Sequence, residues 1–195
     1  MRAIVTGLVV GLFCATGFAE MMANPVYEAW AACKLGTSVT IKMTNKLEDV
    51  EDSTTQEEKL VEVTPEQVVI AVTTSEGIVV DGSTQALPSS KVTIPAKVEK
   101  ELAPLARQFQ RSNAKVSGMK ESKETVEVKG KKVEATKYEY AVEVRQGDGD
   151  TLSAKVKCWM SKEVPGGVVR EEVNVERPEK VTGVREVTDY KKEAK

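Results

Sequence analysis

The sequence predicts a mainly β protein with minor α: an antiparallel meander, bent into a strongly curved open sheet or incomplete barrel and covered by one or two short helices. Three observations carry this expectation. Apolar and polar residues alternate along segment after segment between about residues 37 and 190, the period-two pattern of strands with one solvated face. The segments follow one another through short turns marked by Gly, Pro and Asp, which makes sequence neighbours antiparallel neighbours. Helical spacing appears in two places, and these are the segments available to cover the apolar side of the sheet. A closed barrel and a sandwich are the alternatives that the same pattern allows.

Residues 1–19 stand apart from this pattern. Arg2 precedes an apolar run from Ala3 to Phe18, and Gly17-Phe18-Ala19 places small residues where a signal peptidase reads them. A signal peptide cleaved after Ala19 is expected, with Ala23 as the second choice. Gly7, Gly11, Thr16 and Gly17 dilute the run too far for a transmembrane helix, and the bulky Phe13 before Cys14 weighs against lipidation. Residues 20–195 then form a single β-rich domain of ordinary size. They contain no second stretch of membrane length, so an exported protein, periplasmic or secreted and without a membrane anchor after cleavage, is expected.

Asn24-Pro25 opens the first helical segment, about residues 25–35. Asn24 suits the cap, and Pro25 suits the first helical position, where an N–H would be unpaired in any case. Val26, Trp30 and Cys33 recur at helical spacing, with Lys34 in the last turn and Gly36 as the stop. From Thr37 the period becomes two: Val39, Ile41 and Met43 alternate with Ser38, Thr40, Lys42 and Thr44. The acids between Asn45 and Glu58 lack the spacing of a cation loop and read as a solvated loop or strand edge. Leu60–Val63 and Val68–Thr73 make a hairpin around Thr64-Pro65-Glu66-Gln67. Gly77–Val80 runs to the turn signal Asp81-Gly82, and Thr84–Ser90 reads as loop. Lys91–Pro95 is a short strand placed at an edge, because Pro95 has no N–H for a neighbour.

Val98, Leu102, Leu105 and Phe109 return to helical spacing, a helical cover over about 98–111 that Pro104 either starts or breaks. Strands fill the rest, from about 115 to 190. Thr125–Val128 joins Val133–Arg145 through Lys129-Gly130-Lys131-Lys132, and Gln146–Asp150 turns the chain into Thr151–Met160. The Pro165-Gly166-Gly167 turn then returns it along Val168–Arg177, and Val181–Thr188 is the last strand. Pro165 presets the first central position of its turn, and Gly166 accepts the positive φ that the next position needs.

The chemistry is bounded mostly by what is missing. The sequence has no histidine, which removes the commonest general base, the usual partner of a nucleophilic Ser or Cys, and the usual zinc ligand. The 28 basic and 30 acidic residues nearly cancel and form no basic cluster, so nucleic acid is not an expected partner. No Gly-rich phosphate loop opens a helix, and Asp148-Gly149-Asp150 lacks the rest of a calcium loop. No catalytic residue, metal or cofactor is expected, and the protein is not expected to be an enzyme. Trp30 is read as a core residue, with ligand stacking as its sharper alternative. Trp159 shares a face with Lys155, Lys157 and Ser161. It is a contact site for a partner, an indole on which lysine stems pack, or a residue buried where the sheet curls and covers both its faces. Removal of the leader takes Cys14 and leaves Cys33 and Cys158. A disulfide between them is allowed in an oxidising compartment, and two small buried thiols are the alternative.

The stretch Trp159-Met160-Ser161-Lys162-Glu163-Val164-Pro165-Gly166-Gly167-Val168-Val169, a Trp-x-Ser strand end followed by a Val-Pro-Gly-Gly hairpin, resembles a group of uncharacterised exported bacterial β-rich proteins. Trp30 followed by Gly36-Thr37-Ser38-Val39 is similar to their N-terminal signature. Cys33 and Cys158 fall outside this pattern, and the resemblance implies no activity. More remotely, a short helix with a long meander is similar to the periplasmic lipoprotein-carrier fold, an incomplete barrel that holds lipid against its concave side. The resulting expectation is an exported, non-enzymatic binding or carrier module for an apolar ligand or lipidated partner. The alternative is a structural or interaction protein of the cell envelope with no small-molecule ligand. A ligand-sized apolar cavity between sheet and helices distinguishes the first from the second.

Overall fold

The structure, a computed structural model, describes residues 20–74, 77–80, 83–86, 89–105, 114–145, 151–177 and 180–193. The expected leader over residues 1–19, Phe109, and the turns expected at Asp81-Gly82 and 146–150 lie outside these residues. The chain runs through β1 (Met21–Ala23), α1 (Pro25–Ala31), β2 (Ser38–Leu47), β3 (Val50–Val63), β4 (Gln67–Thr74), β5 (Gly77–Val80) and β6 (Ser83–Ala86). It continues through β7 (Ser90–Pro95), β8 (Lys97–Glu99), β9 (Ala114–Val128), β10 (Lys131–Arg145), β11 (Thr151–Met160), β12 (Val168–Arg177) and β13 (Val181–Lys191).

Nine of these strands form one antiparallel sheet in the order β7-β4-β3-β2-β13-β12-β11-β10-β9. It consists of two meanders joined along a seam, where β2 pairs with β13 from Ser38↔Lys191 to Leu47↔Val181. The sheet is open, with β7 and β9 as its edges. It is also strongly curved: Lys129, in the β9–β10 turn, reaches Asp189 on β13 with its Nζ 2.8 Å from both carboxylate oxygens, although β10 lies three positions from β13 in the sheet. Curvature of this kind follows from the strand twist accumulated across a long sheet.

Expectation and structure agree on the class and on most turns. A turn not marked in the sequence reading, Glu48-Asp49 with Glu48 at φ 53°, leads β2 into β3. The Thr64 hydroxyl accepts from the backbone N–H groups of Glu66 and Gln67 and so closes the β3–β4 turn. Lys129 and Gly130, both at positive φ, make the two-residue β9–β10 turn, as a right-twisted hairpin requires. Pro95 does end an edge strand.

Several expectations need correction. The acidic stretch is not a loop: it is the body of β3, whose residues 50–59 pair fully with β2. Part of the expected loop after Asp81-Gly82 is β6, which pairs with β5 in a separate two-stranded unit. The helical cover is absent over residues 97–105. Val98 sits in β8, and the next residues form turns in which the N–H groups of Leu102 and Ala103 donate to the Glu99 carbonyl. Pro104 supplies no N–H and restricts Ala103, so the turns do not extend into a helix there. Val98, Leu102 and Leu105 are nonetheless buried, because closed turns bring them to the core without helical geometry. β1, which pairs with β8, had no sequence signal.

α1 is a seven-residue helix, shorter than its spacing suggested. Asn24 caps it: its Oδ1 accepts from the Val26 N–H at 3.0 Å. The same residue ties the helix to the corner after β7, donating from its backbone N–H to Ala96 and from Nδ2 to the Pro95 carbonyl. Gly36 does not stop the helix. At φ 90° it turns the chain into β2, with its N–H donating to the Leu60 carbonyl.

The β11–β12 connection is a buried loop rather than a surface hairpin. Val164 accepts from the Gly167 N–H, and Gly166 has φ 78°, the type II arrangement expected from Pro165-Gly166. Residues 164–169 are all buried, because the turn folds onto α1. A Cβ added at Gly166 would lie 2.7 Å from Nε1 and 2.9 Å from Cε2 of Trp30. Gly167 meets the Ala29 Cβ in the same way, at 3.3 Å. The two sequence signatures that carried the resemblance therefore pack directly on each other.

Gly166→Ala adds left-handed strain to a clash with a buried indole, and should cost about 2–4 kcal/mol in denaturant unfolding. Gly130→Ala, with the same sign of φ but no atom within 4 Å of the added Cβ, should cost only about 1 kcal/mol.

Candidate functional site

Trp30 is 1% exposed, held beneath Gly166. It is a core residue and offers no ring face to a ligand. Trp159 is also buried, at 7% exposure. Its cross-strand neighbours are Lys137 on β10 and Arg170 on β12. The Lys137 Nζ lies 5.3 Å from the ring centre and the Arg170 Cζ 5.6 Å, so cations flank the indole from the two adjoining strands. Its Nε1–H donates to the Glu124 carboxylate at 2.7 Å. That bond and the neighbouring Lys137 ammonium hold the Glu124 carboxyl below its ordinary ionisation range. The lysine that packs on Trp159 comes from the neighbouring strand, Lys137 on β10, and an arginine and a carboxylate join it there.

Both cysteines are buried, and no bond joins Cys33 to Cys158. Cys33 follows α1, where its Sγ donates to the Ala29 carbonyl at 3.4 Å. Cys158 lies within the sheet, opposite Glu171 on β12. Burial, reinforced by Glu171, pushes the Cys158 thiol's ionisation far up, so it is a poor nucleophile.

The face of the sheet that α1 covers contains residues the sequence reading did not single out. Along β12 that face carries Glu171, Val173 and Val175; along β13, Arg185, Gly183 and Val181; along β2, Met43, Asn45 and Leu47. Glu171 is directly opposite Arg185 and is 3% exposed. Arg185 donates from Nη2 to Glu58 Oε1 at 2.9 Å, and Glu58 is 2% exposed. Gln56 donates to the same oxygen. One guanidinium therefore bonds Glu58 and sits across the strand pair from Glu171 inside an apolar face. Such a cluster is sustained by its pairing, since an isolated buried charge is very costly.

This charged row divides the face. On the α1 side a cavity of about 30 Å³ remains between Trp30, Val39, Ile41, Gly166 and the three charged side chains. That is room for water, not for a lipid. Trp30, Leu102, Leu105, Val164, Val168 and Val169 are all buried members of one core cluster. On the other side an open groove of about 230 Å³ runs over Met43, Val173, Val175 and Val181, with Asn45 on its wall and Glu171 and Arg185 at its inner end. Among the described residues no group of three or more Cys, Asp or Glu side chains is placed to hold a metal ion.

No family model and no curated protein matches the chain. Solved structures do. A protein of Parabacteroides distasonis described as a lipoprotein superposes with a TM-score of 0.50 at 10% identity, over 87% of this chain and 100% of its own. The likeness is one of fold. A Bacteroides fragilis protein described as exported and as having a YmcC-like fold gives a TM-score of 0.48 at 13% identity, over 82% of this chain and 97% of that one. A LolA superfamily protein of Nitrosomonas europaea gives 0.34 at 9%, over 87% and 92%, too distant a superposition to carry weight.

Arg185→Leu takes the cation away from buried Glu58 and from beside buried Glu171, and should destabilise the protein by about 3 kcal/mol or more. Adding Glu58→Gln and Glu171→Gln should recover most of that loss in denaturant titrations, because no unpaired charge is left behind. Thiol titration of oxidatively prepared protein comprising residues 20–195 should find two reactive thiols after unfolding without reductant and none before.

Proposed function

We propose that the protein is an exported, non-enzymatic binding module. It takes an apolar group of a ligand or lipidated partner into the open groove at the end of the sheet and does not enclose a whole lipid. The observation that carries this reading is the half-buried row of Met43, Val173, Val175 and Val181, which lines an open groove at the margin of the core. The groove is smaller than the several hundred Å³ typical of pockets for drug-sized ligands, so it suits one short chain or ring. The leader-like run in residues 1–19 supports export. The likeness to structures described as an exported protein and a lipoprotein is compatible with that reading. The missing histidine speaks against acid–base or zinc chemistry.

The filled space beneath α1 favours a second reading: an interaction protein of the cell envelope with no small-molecule ligand. Titration with a fluorescent acyl probe, together with native mass spectrometry of protein from its own source, separates the two. Saturable binding that Val175→Asp weakens about tenfold or more supports the groove. No bound apolar species and no saturable titration would leave the second reading standing.

A further inference from the structure

The two edges of the large sheet are treated differently. β7 is short, ends in Pro95, and has the Pro95 carbonyl taken by Asn24. β9 is fifteen residues long, pairs only with β10 among the described residues, and is exposed at every position from 117 to 125. An edge of this length is a template for another strand unless something opposes pairing. Its central sequence is Lys120-Glu121-Ser122-Lys123-Glu124.

We propose that β9 is a self-pairing edge, through which two copies of the chain join antiparallel over Met119–Thr125 about a two-fold axis at Ser122. In that register Lys120 faces Glu124 of the second copy, and Glu121 faces its Lys123. The symmetry repeats both contacts, so each face of the joined sheet carries opposite charges. Cross-strand pairs of opposite sign stabilise a sheet and like pairs destabilise it. The pattern also fixes the register. Moving the axis a full residue either way puts Glu121 or Lys123 against its own copy. The bulge opposite Glu139 and Ala141, with Gly118 at φ 66°, bends the strand and ends the straight stretch on one side. An isologous contact of this kind closes on itself and yields a dimer rather than a fibre.

Sedimentation velocity on the mature protein, from micromolar to sub-millimolar concentration, tests the proposal with two variants. Neither Glu121 nor Lys123 takes part in the Trp159 cluster, and thermal unfolding confirms that both variants remain folded. The wild type should form a reversible dimer. Lys123→Glu should raise its dissociation constant about tenfold or more, since it creates two like-charge contacts. The charge swap Glu121→Lys with Lys123→Glu should bring the constant back to within about threefold of wild type. A wild type that stays monomeric throughout overturns the proposal and makes the charges a guard against edge pairing. A dimer indifferent to Lys123→Glu, or a swap that fails to restore it, overturns it as well.

Discussion

Only a hydrogen atom fits between the backbone of Gly166 and the indole of Trp30. Much of the architecture depends on that contact. α1 is too short to hold its place by its own hydrogen bonds. It is held instead by the Asn24 cap at one end and by the β11–β12 loop pressed on its Trp30 face. Because the loop comes down onto the helix, the space a carrier would need between helix and sheet is occupied by the protein's own backbone. The fold class that suggested a carrier is thus present, while the hollow that would make one is filled beneath α1.

The Glu58–Arg185–Glu171 row sets the boundary between the filled and open parts of the covered face. A hydrophobic trio of the same volume would make a more continuous core and, on energetic grounds alone, could be as stable or more so. Charges placed there do something else. They terminate the apolar core, give the groove a polar inner end, and tie β3, β12 and β13 in one alignment across the seam. On the opposite face Trp159 plays the corresponding part, with Lys137, Arg170 and Glu124 gathered around one indole from β10, β12 and β9.

Strand periodicity and turn chemistry made the class and most of the strands legible: alternation over 39–43, 138–144 and 169–175, the edge role of Pro95, and the type II turn at Pro165-Gly166. The candidate groove was much less legible. Its lining valines look like any strand face, and only three-dimensional curvature decides which end of a face stays uncovered. A signal for the charged row did exist. Glu171 shares parity with Val169, Val173 and Val175, and Arg185 with Val181 and Val187, so opposite charges interrupt two apolar files in consecutive strands. Glu58 was concealed by the acids before it, whose density suggested solvent. Helical spacing misled at Val98, Leu102 and Leu105, because closed turns can bury the same residues that a helix would.

The seam between β2 and β13 joins the first strand of the large sheet to the last. Each meander has neighbours close in sequence and can assemble locally, but their union must close a loop spanning most of the chain. Loop-closure entropy and high contact order make that step late and slow relative to hairpin formation. Until the C-terminal strand is free to dock, the molecule exists as two half-sheets with no common hydrogen-bonded ladder. A polypeptide built this way completes its common ladder only once its last strand has been made.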